Sequence, residues 1–361
     1  MRTGSLQSNL DVLSSVIYDS GELTSAVTSI IVPGLNGNED GEYEIIARMV
    51  NGYNGACSDG IRFNGDSDSN YGFQLLKGVS TIVSAIRNTS QGAMYFADHS
   101  ALGDINMSHI IIQAKNGYIR TAISKTAYGI ATTTVTGINR TGFSWNNTSD
   151  NIKSITIFNS EASGIGIGSR IIILRRNASA TGIRTGALNV QGNIIGTWRR
   201  IYSNTLVSAT DKITISGLDG DKDILYKIKI RIIHGNDTDQ GFLIRPNDVS
   251  TAGNYGYQYL LGSSANVGSA RNTAGTGFIA GAAIANGSID MSDSLLYAKQ
   301  GYVRTLLSDN VQNTSTTTVS TIVITGQSWN NTNTNITSLT INGTANSFGI
   351  GTFVELYKIN L

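Results

Sequence analysis

The chain is poor in the residues that supply covalent staples and reactive groups. Its single cysteine, Cys57, excludes an internal disulfide framework. Charged residues make up 14% of its 361 residues and the net charge is +1, which leaves no basic excess to attract nucleic acid and no acidic tail. No apolar run is long enough to span a bilayer, since the longest, around 278–289, is cut by Gly, Asn and Ser. The first 21 residues lack the continuous apolar stretch of a signal peptide, so a soluble chain made without export is expected. With so little charge, solubility falls to Ser, Thr, Asn and Gly. Such a surface exerts little long-range repulsion. It suits packing against copies of itself, and equally the display of hydroxyls and amides to sugars.

What is abundant favours strands: Ile, Val, Thr, Tyr and Ser dominate, 41 glycines punctuate them, and helix-forming runs are scarce. The chain also repeats itself. GFSWNNT (142–148) returns as GQSWNNT (326–332), AKNGYIRT (114–121) as AKQGYVRT (298–305), NYGFQ (70–74) as NYGYQ (254–258), RNT (87–89) as RNT (271–273) and TTTV (132–135) as TTTV (316–319), all at an offset of 184. The offset slips to 183 at Ile61/Ile244 and to 182 at Leu174/Leu356. A period this long describes two homologous domains, not a solenoid. The reading is an N-terminal arm at 1–13, a first domain at 14–176, a linker at 177–196 and a second domain at 197–361.

YKIKIRII (226–233) alternates strictly, which describes a half-buried strand. Its counterpart YEIIARMV (43–50) is apolar on both faces, as a strand covered on both sides would be. Short strands separated by turn signals such as LNGNEDG and NGDSDSN predict an all-β fold: two tandem antiparallel β-sandwiches of jelly-roll type, with about eight to ten strands each.

Candidate chemistry is sparse. His99, His109 and His234 do not recur between the repeats, and no nucleophile elbow appears, so scattered strand or surface histidines are expected and no triad. Acidic residues cluster in turns, where Asp bonds its own backbone. Asp66 and Asp68, and Asp219, Asp221 and Asp223, place oxygens at alternate positions and are the candidate calcium ligands, although neither group is followed by the glutamate of a complete loop. No other cofactor is expected. Trp145, Asn146 and Asn147, with Trp329, Asn330 and Asn331, are a candidate sugar-stacking platform; the competing reading is a tryptophan closing the core above an Asn-made turn. Arg120 and Arg304, within G-Y-[IV]-R-T, read as structural or interface residues.

The shared signature N-Y-G-[FY]-Q, R-N-T, A-K-x-G-Y-[IV]-R-T, T-G-x-S-W-N-N-T and N-I-x-S-[IL]-T-I resembles β-sandwich domains in virion proteins of tailed bacteriophages, among them head-decoration, head-fibre and tail-associated proteins. The resemblance covers nearly all of both domains and carries no catalytic residues. It implies a non-enzymatic virion component, homo-oligomeric and often trimeric, that packs on itself and on neighbouring virion proteins without binding nucleic acid or membrane. The alternatives are a host-glycan-binding adhesin and, third, a polysaccharide-degrading enzyme, which would need two carboxyl groups across a cleft.

Overall fold

The computed structural model describes residues 15–176, 198–236, 240–263, 266–283, 286–314, 319–343, 347–359 and 361. The arm at 1–13 and the linker at 177–196 lie outside the described residues.

The first domain contains β1 (Ser15–Asp19), β2 (Ser29–Pro33), β3 (Glu42–Val50), β4 (Cys57–Phe63), β5 (Tyr71–Val79), β6 (Ile82–Gln91), β7 (Met94–His99), β8 (Ile105–Gln113), β9 (Arg120–Ala131), β10 (Thr134–Trp145), β11 (Ser154–Asn159) and β12 (Arg170–Arg175). Its large sheet runs β1-β12-β3-β8-β9-β10-β5-β6 and its small sheet β2-β11-β4-β7. The first four strands of the large sheet and the four of the small one form an eight-strand jelly roll. Two hairpins, β5–β6 and β9–β10, then extend the large sheet beyond the edge of the small one. They raise the count to twelve strands, above the eight to ten expected.

The second domain repeats the plan with β13 (Trp198–Thr205), β14 (Lys212–Ser216), β15 (Leu225–Ile233), β16 (Gln240–Pro246), β17 (Tyr255–Ser263), β18 (Asn266–Gly275), β19 (Phe278–Ala283), β20 (Ile289–Tyr297), β21 (Arg304–Thr314), β22 (Val319–Trp329), β23 (Ser338–Asn342) and β24 (Phe353–Ile359). Sheet orders are the same, shifted by twelve strands. Pairing register corrects one match: Tyr18 faces Ile173 and Tyr202 faces Leu356, so Leu356 is the counterpart of Ile173, not of Leu174. The only helices among the described residues are single turns, α1 (Gly37–Asp40) and α2 (Gly220–Asp223), capped by Asn36 and Asp219.

Alternation decides what each strand buries. On β15, Ile228, Ile230 and Ile232 enter the core between the sheets, while Lys229 and Arg231 face solvent. On β3, Ile45, Ala47 and Met49 enter the equivalent core, and Ile46 on the opposite face is buried as well. Each fully buried Ile contributes about 1.5–3 kcal/mol. Ile46 belongs to a third core, formed where the outer faces of the two large sheets meet; Met107, Ala127, Ile130, Val135 and Ile138 enter it from the first domain, and Leu225, Leu260, Leu295 and Leu307 from the second. The order of layers is therefore small sheet, large sheet, large sheet, small sheet.

Candidate functional site

The Trp-Asn-Asn-Thr loops do not form a sugar platform. Both indoles, Trp145 and Trp329, are 0% exposed, and a sugar cannot stack on a face that solvent cannot reach. Each instead lies over a buried tyrosine, Tyr71 at 6.1 Å and Tyr255 at 6.0 Å between ring centroids. Asn147 accepts the backbone N–H of Asp150 at 3.0 Å, and Asn331 that of Thr334 at 3.0 Å, so these side chains make the turn. Asn146 and Asn330 tie their backbone N–H groups to Asn70 and Asn254.

The buried arginines explain why the motif recurs. Arg120 donates to the carbonyls of Asn147 and Asp150, and Arg304 to those of Asn331 and Thr334, from beneath the loop. Each guanidinium also approaches its tryptophan, at 5.4 and 5.6 Å. Burial pushes the Arg304 guanidinium down to about 10, which leaves it charged at neutral pH.

Four of the five candidate calcium ligands are occupied by protein donors. Asp66 accepts from the Trp145 indole N–H, the Asn70 amide and the Asp68 backbone. Asp219 caps α2 and accepts from Asn335. Asp221 pairs with Lys299, and Asp223 with Lys358 and the Tyr226 hydroxyl. Asp68 stands exposed beside Asp66. Among the described residues no group of three or more His, Cys, Asp or Glu could hold a metal ion.

The histidines are not scattered over the surface. Each meets a buried carboxylate: His99 Nε2 lies 2.7 Å from Asp59, His109 Nε2 2.8 Å from Glu44, and His234 Nε2 3.5 Å from Asp290. Two of these pairs, His99–Asp59 and His234–Asp290, stand at non-equivalent positions in the two repeats. Asn51 and His234 make the same bridge, so His234 fills the place of Asn51, and Phe242 on β16 replaces Asp59 of β4. One repeat read alone gives no hint of this. The Cys57 thiol contacts Asn51 and Asn159 rather than His99, and burial pushes its pKa up, away from thiolate chemistry.

The face-to-face meeting of the large sheets uses the two domains unequally. Gln258 accepts the Ser80 N–H and donates to the Ser80 carbonyl, both at 3.0 Å. Arg271 donates to the Thr136 carbonyl at 2.6 Å. Gly256 and Gly326 have no room for a side chain, because a Cβ would meet the Thr133 carbonyl oxygen at 1.7 Å and the Ala127 Cβ at 2.3 Å. Two turns of the first domain, at Ser80 and at Thr133–Thr136, thus sit on a receptor made of two glycines, a glutamine and an arginine.

The repeat places the same four residue types in the first domain: Gly72, Gln74, Arg87 and Gly142. Here they border an open hollow of about 610 Å³, with Ile111, Ile123, Phe73 and Phe143 in its lining. Gln74 and Arg87 are exposed, and a Cβ on Gly142 would meet nothing within 4 Å. Conversely, Met107, Val135 and Ile138, buried against the second domain, have counterparts in Met291, Val319 and Ile322 that are 54–57% exposed. The two halves are divided where equivalent positions meet each other, at Lys125–Asp309 (3.0 Å) and Glu44–Lys227 (3.2 Å). On one side of that line the sheets touch backbone to backbone; the first domain's hollow lies on the other.

Glu44 lies within this boundary. Burial raises its pKa, but the His109 hydrogen bond and charge and the Lys227 ammonium outweigh burial and hold it well below the usual carboxylate range. Burial lowers His109 against the opposing pull of Glu44. A second, smaller hollow of about 270 Å³ lies under the overhanging β5–β6 hairpin, where Asn88, Tyr95, Asp98, Asn139 and Thr141 line it.

No family model matches the chain, and no curated protein does. Among solved structures, domains LG4-5 of the mouse laminin alpha1 chain align over 93% of this chain and 89% of that one, at 7% identity and a TM-score of 0.20. The LG1-3 region of the laminin alpha2 chain aligns over 92% and 64%, at 6% identity and 0.17. An engineered GH43 glycoside hydrolase aligns over 78% and 70%, at 7% identity and 0.21. Likenesses this slight carry no argument about what the chain does.

Proposed function

We propose that the chain is a non-enzymatic structural building block, a component of a tailed-phage virion, that works by packing against copies of itself and neighbouring virion proteins. The observation that carries this reading is the fate of its chemistry-bearing side chains. The histidines, the cysteine, the motif arginines and tryptophans and most of the turn aspartates are bound into the scaffold, whereas extended sheet faces with apolar centres stand open. The phage setting comes from the sequence resemblance alone. Sedimentation velocity over a wide concentration range tests the assembly reading, with concentration-dependent oligomers expected. Turnover in a broad screen of polysaccharide and ester substrates would overturn the non-enzymatic reading.

A second reading, glycan binding, draws on the 270 Å³ hollow, where amide, hydroxyl, carboxylate and phenol groups converge as in a small polar-lined site. It predicts binding on a glycan array that Asn139→Ala abolishes and that Trp145→Phe leaves unchanged.

A further inference from the structure

The duplication supplies its own comparison: one receptor face filled, in the second domain, and its counterpart empty, in the first. We infer that the hollow bordered by Gly72, Gln74, Arg87 and Gly142 is a docking site for a hairpin turn of a second copy of this chain, the turn joining β21 to β22. This rests on the assembly reading above and names the contact through which it works.

Gln258 engages one residue, Ser80, through both its backbone N–H and its carbonyl, and Arg271 takes the Thr136 carbonyl. The glycines at 256 and 326 let the incoming backbone approach to a distance no side chain would permit. None of these groups reads a particular large side chain. Gln258 holds the turn at Ser80, while Gly256 and Arg271 accept a tight, uncharged turn with small hydroxyl residues, Thr132–Val135, with its carbonyl at Thr133 against Gly256. Ile123 and Ile111 provide the apolar floor that Leu307 and Leu295 provide in the filled site.

The occupant of the empty site follows from the same chemistry. The tetrapeptide TTTV occurs twice in the chain, at 132–135 and at 316–319. The first copy is already seated on the second domain. The second joins strands whose adjoining residues Val319 and Ile322 are exposed, although their counterparts Val135 and Ile138 are fully buried at the seated turn. Neither partner in the proposed contact carries a charge that must be neutralised apart from Arg87, whose counterpart Arg271 bonds a neutral carbonyl. A contact of this kind, built from different surfaces on the two molecules, propagates or closes into a ring according to the rotation it imposes.

Gly142→Leu tests the site without disturbing the fold, since its side chain enters open space. In sedimentation of the full chain, Gly142→Leu, which blocks the incoming backbone, and Arg87→Ala, which removes the carbonyl donor, are each expected to weaken association by about tenfold or more. A second measurement uses Gly72→Cys with Thr317→Cys; Cys57 is buried and stays out of the oxidation. A disulfide-linked dimer on a non-reducing gel is the expected product. A disulfide formed at monomer mass would show that the chain's own turn closes the hollow and would overturn the inference. So would association that Gly142→Leu leaves intact, although the assembly reading would then survive through another face. Absence of association in every variant and in the wild type would end both.

Discussion

Gly256→Ala is the sharpest perturbation of the interface between the domains, because the repeat provides its control. The added Cβ would stand 1.7 Å from the Thr133 carbonyl oxygen and 2.3 Å from its carbon, backbone atoms that cannot rotate aside. The sheets must withdraw, and withdrawal stretches the Gln258–Ser80 pair at 3.0 Å and the Arg271–Thr136 bond at 2.6 Å beyond hydrogen-bond range. Three hydrogen bonds at about 1 kcal/mol each, with overpacking strain of about 1–3 kcal/mol, give a loss of roughly 4–6 kcal/mol. Gly72→Ala makes the same change at the same place in the repeat, where the nearest atom is the Ser144 hydroxyl at 3.3 Å, which can turn away. It should fall within about 0.5 kcal/mol of wild type. Urea denaturation of the two variants, followed by circular dichroism, measures the difference. Equal destabilisation would refute the claim that only the second domain's face is occupied.

Other expectations follow from particular contacts. Trp145→Phe should cost about 1 kcal/mol more than Trp329→Phe in urea titrations, because the Trp145 indole donates to Asp66 at 2.7 Å while the Trp329 indole has no acceptor among the described residues. Arg120→Ala should destabilise by about 3 kcal/mol or more, since it strands the carbonyls of the Trp-Asn-Asn-Thr loop, and lysine, with its single ammonium, should rescue only part of that loss. Acid should loosen the interface. His109 is depressed below 6.5 and Glu44 below 4.5 in the folded chain, so the unfolded chain binds the extra protons in both cases. Their contribution is complete above 6.5 and is lost as pH falls, first through the histidine and then, below 4.5, through the glutamate. A thermal midpoint that rises on acidification from pH 7 to 4, or that Glu44→Gln leaves unchanged across that range, would contradict this.

The strand-by-strand pattern was legible because alternation and duplication are local properties. Ile228, Ile230 and Ile232 declare their face within eight residues, and the repeat declares two domains. Sheet order was not legible. TIVSAIRNTS reads as a strand whether it joins the jelly roll or extends it as β6, and only pairing with β5 decides. The candidate platform failed for a related reason: an aromatic beside two asparagines reads alike whether the ring faces water or a buried guanidinium, and Arg120 lies 25 residues earlier in the chain. The receptor face was hidden more completely. Gln74 and Gln258 are identical in type and in sequence setting, yet one is exposed and the other wholly buried, because what separates them is which domain lies opposite. The histidine–carboxylate pairs His99–Asp59 and His234–Asp290 were not legible because neither recurs: Ala283 and Phe242 stand where the first domain has His99 and Asp59, and Asn51 and Asn106 stand where the second has His234 and Asp290.

The central claim is that this chain acts by association, with its chemistry-bearing side chains committed to holding two sandwiches together. Sedimentation equilibrium of the intact chain, carried to the highest concentration at which it stays in solution, tests it most directly. Discrete species heavier than one chain, growing in proportion with concentration, are the expected result; a single species of one-chain mass across the whole range would rule association out.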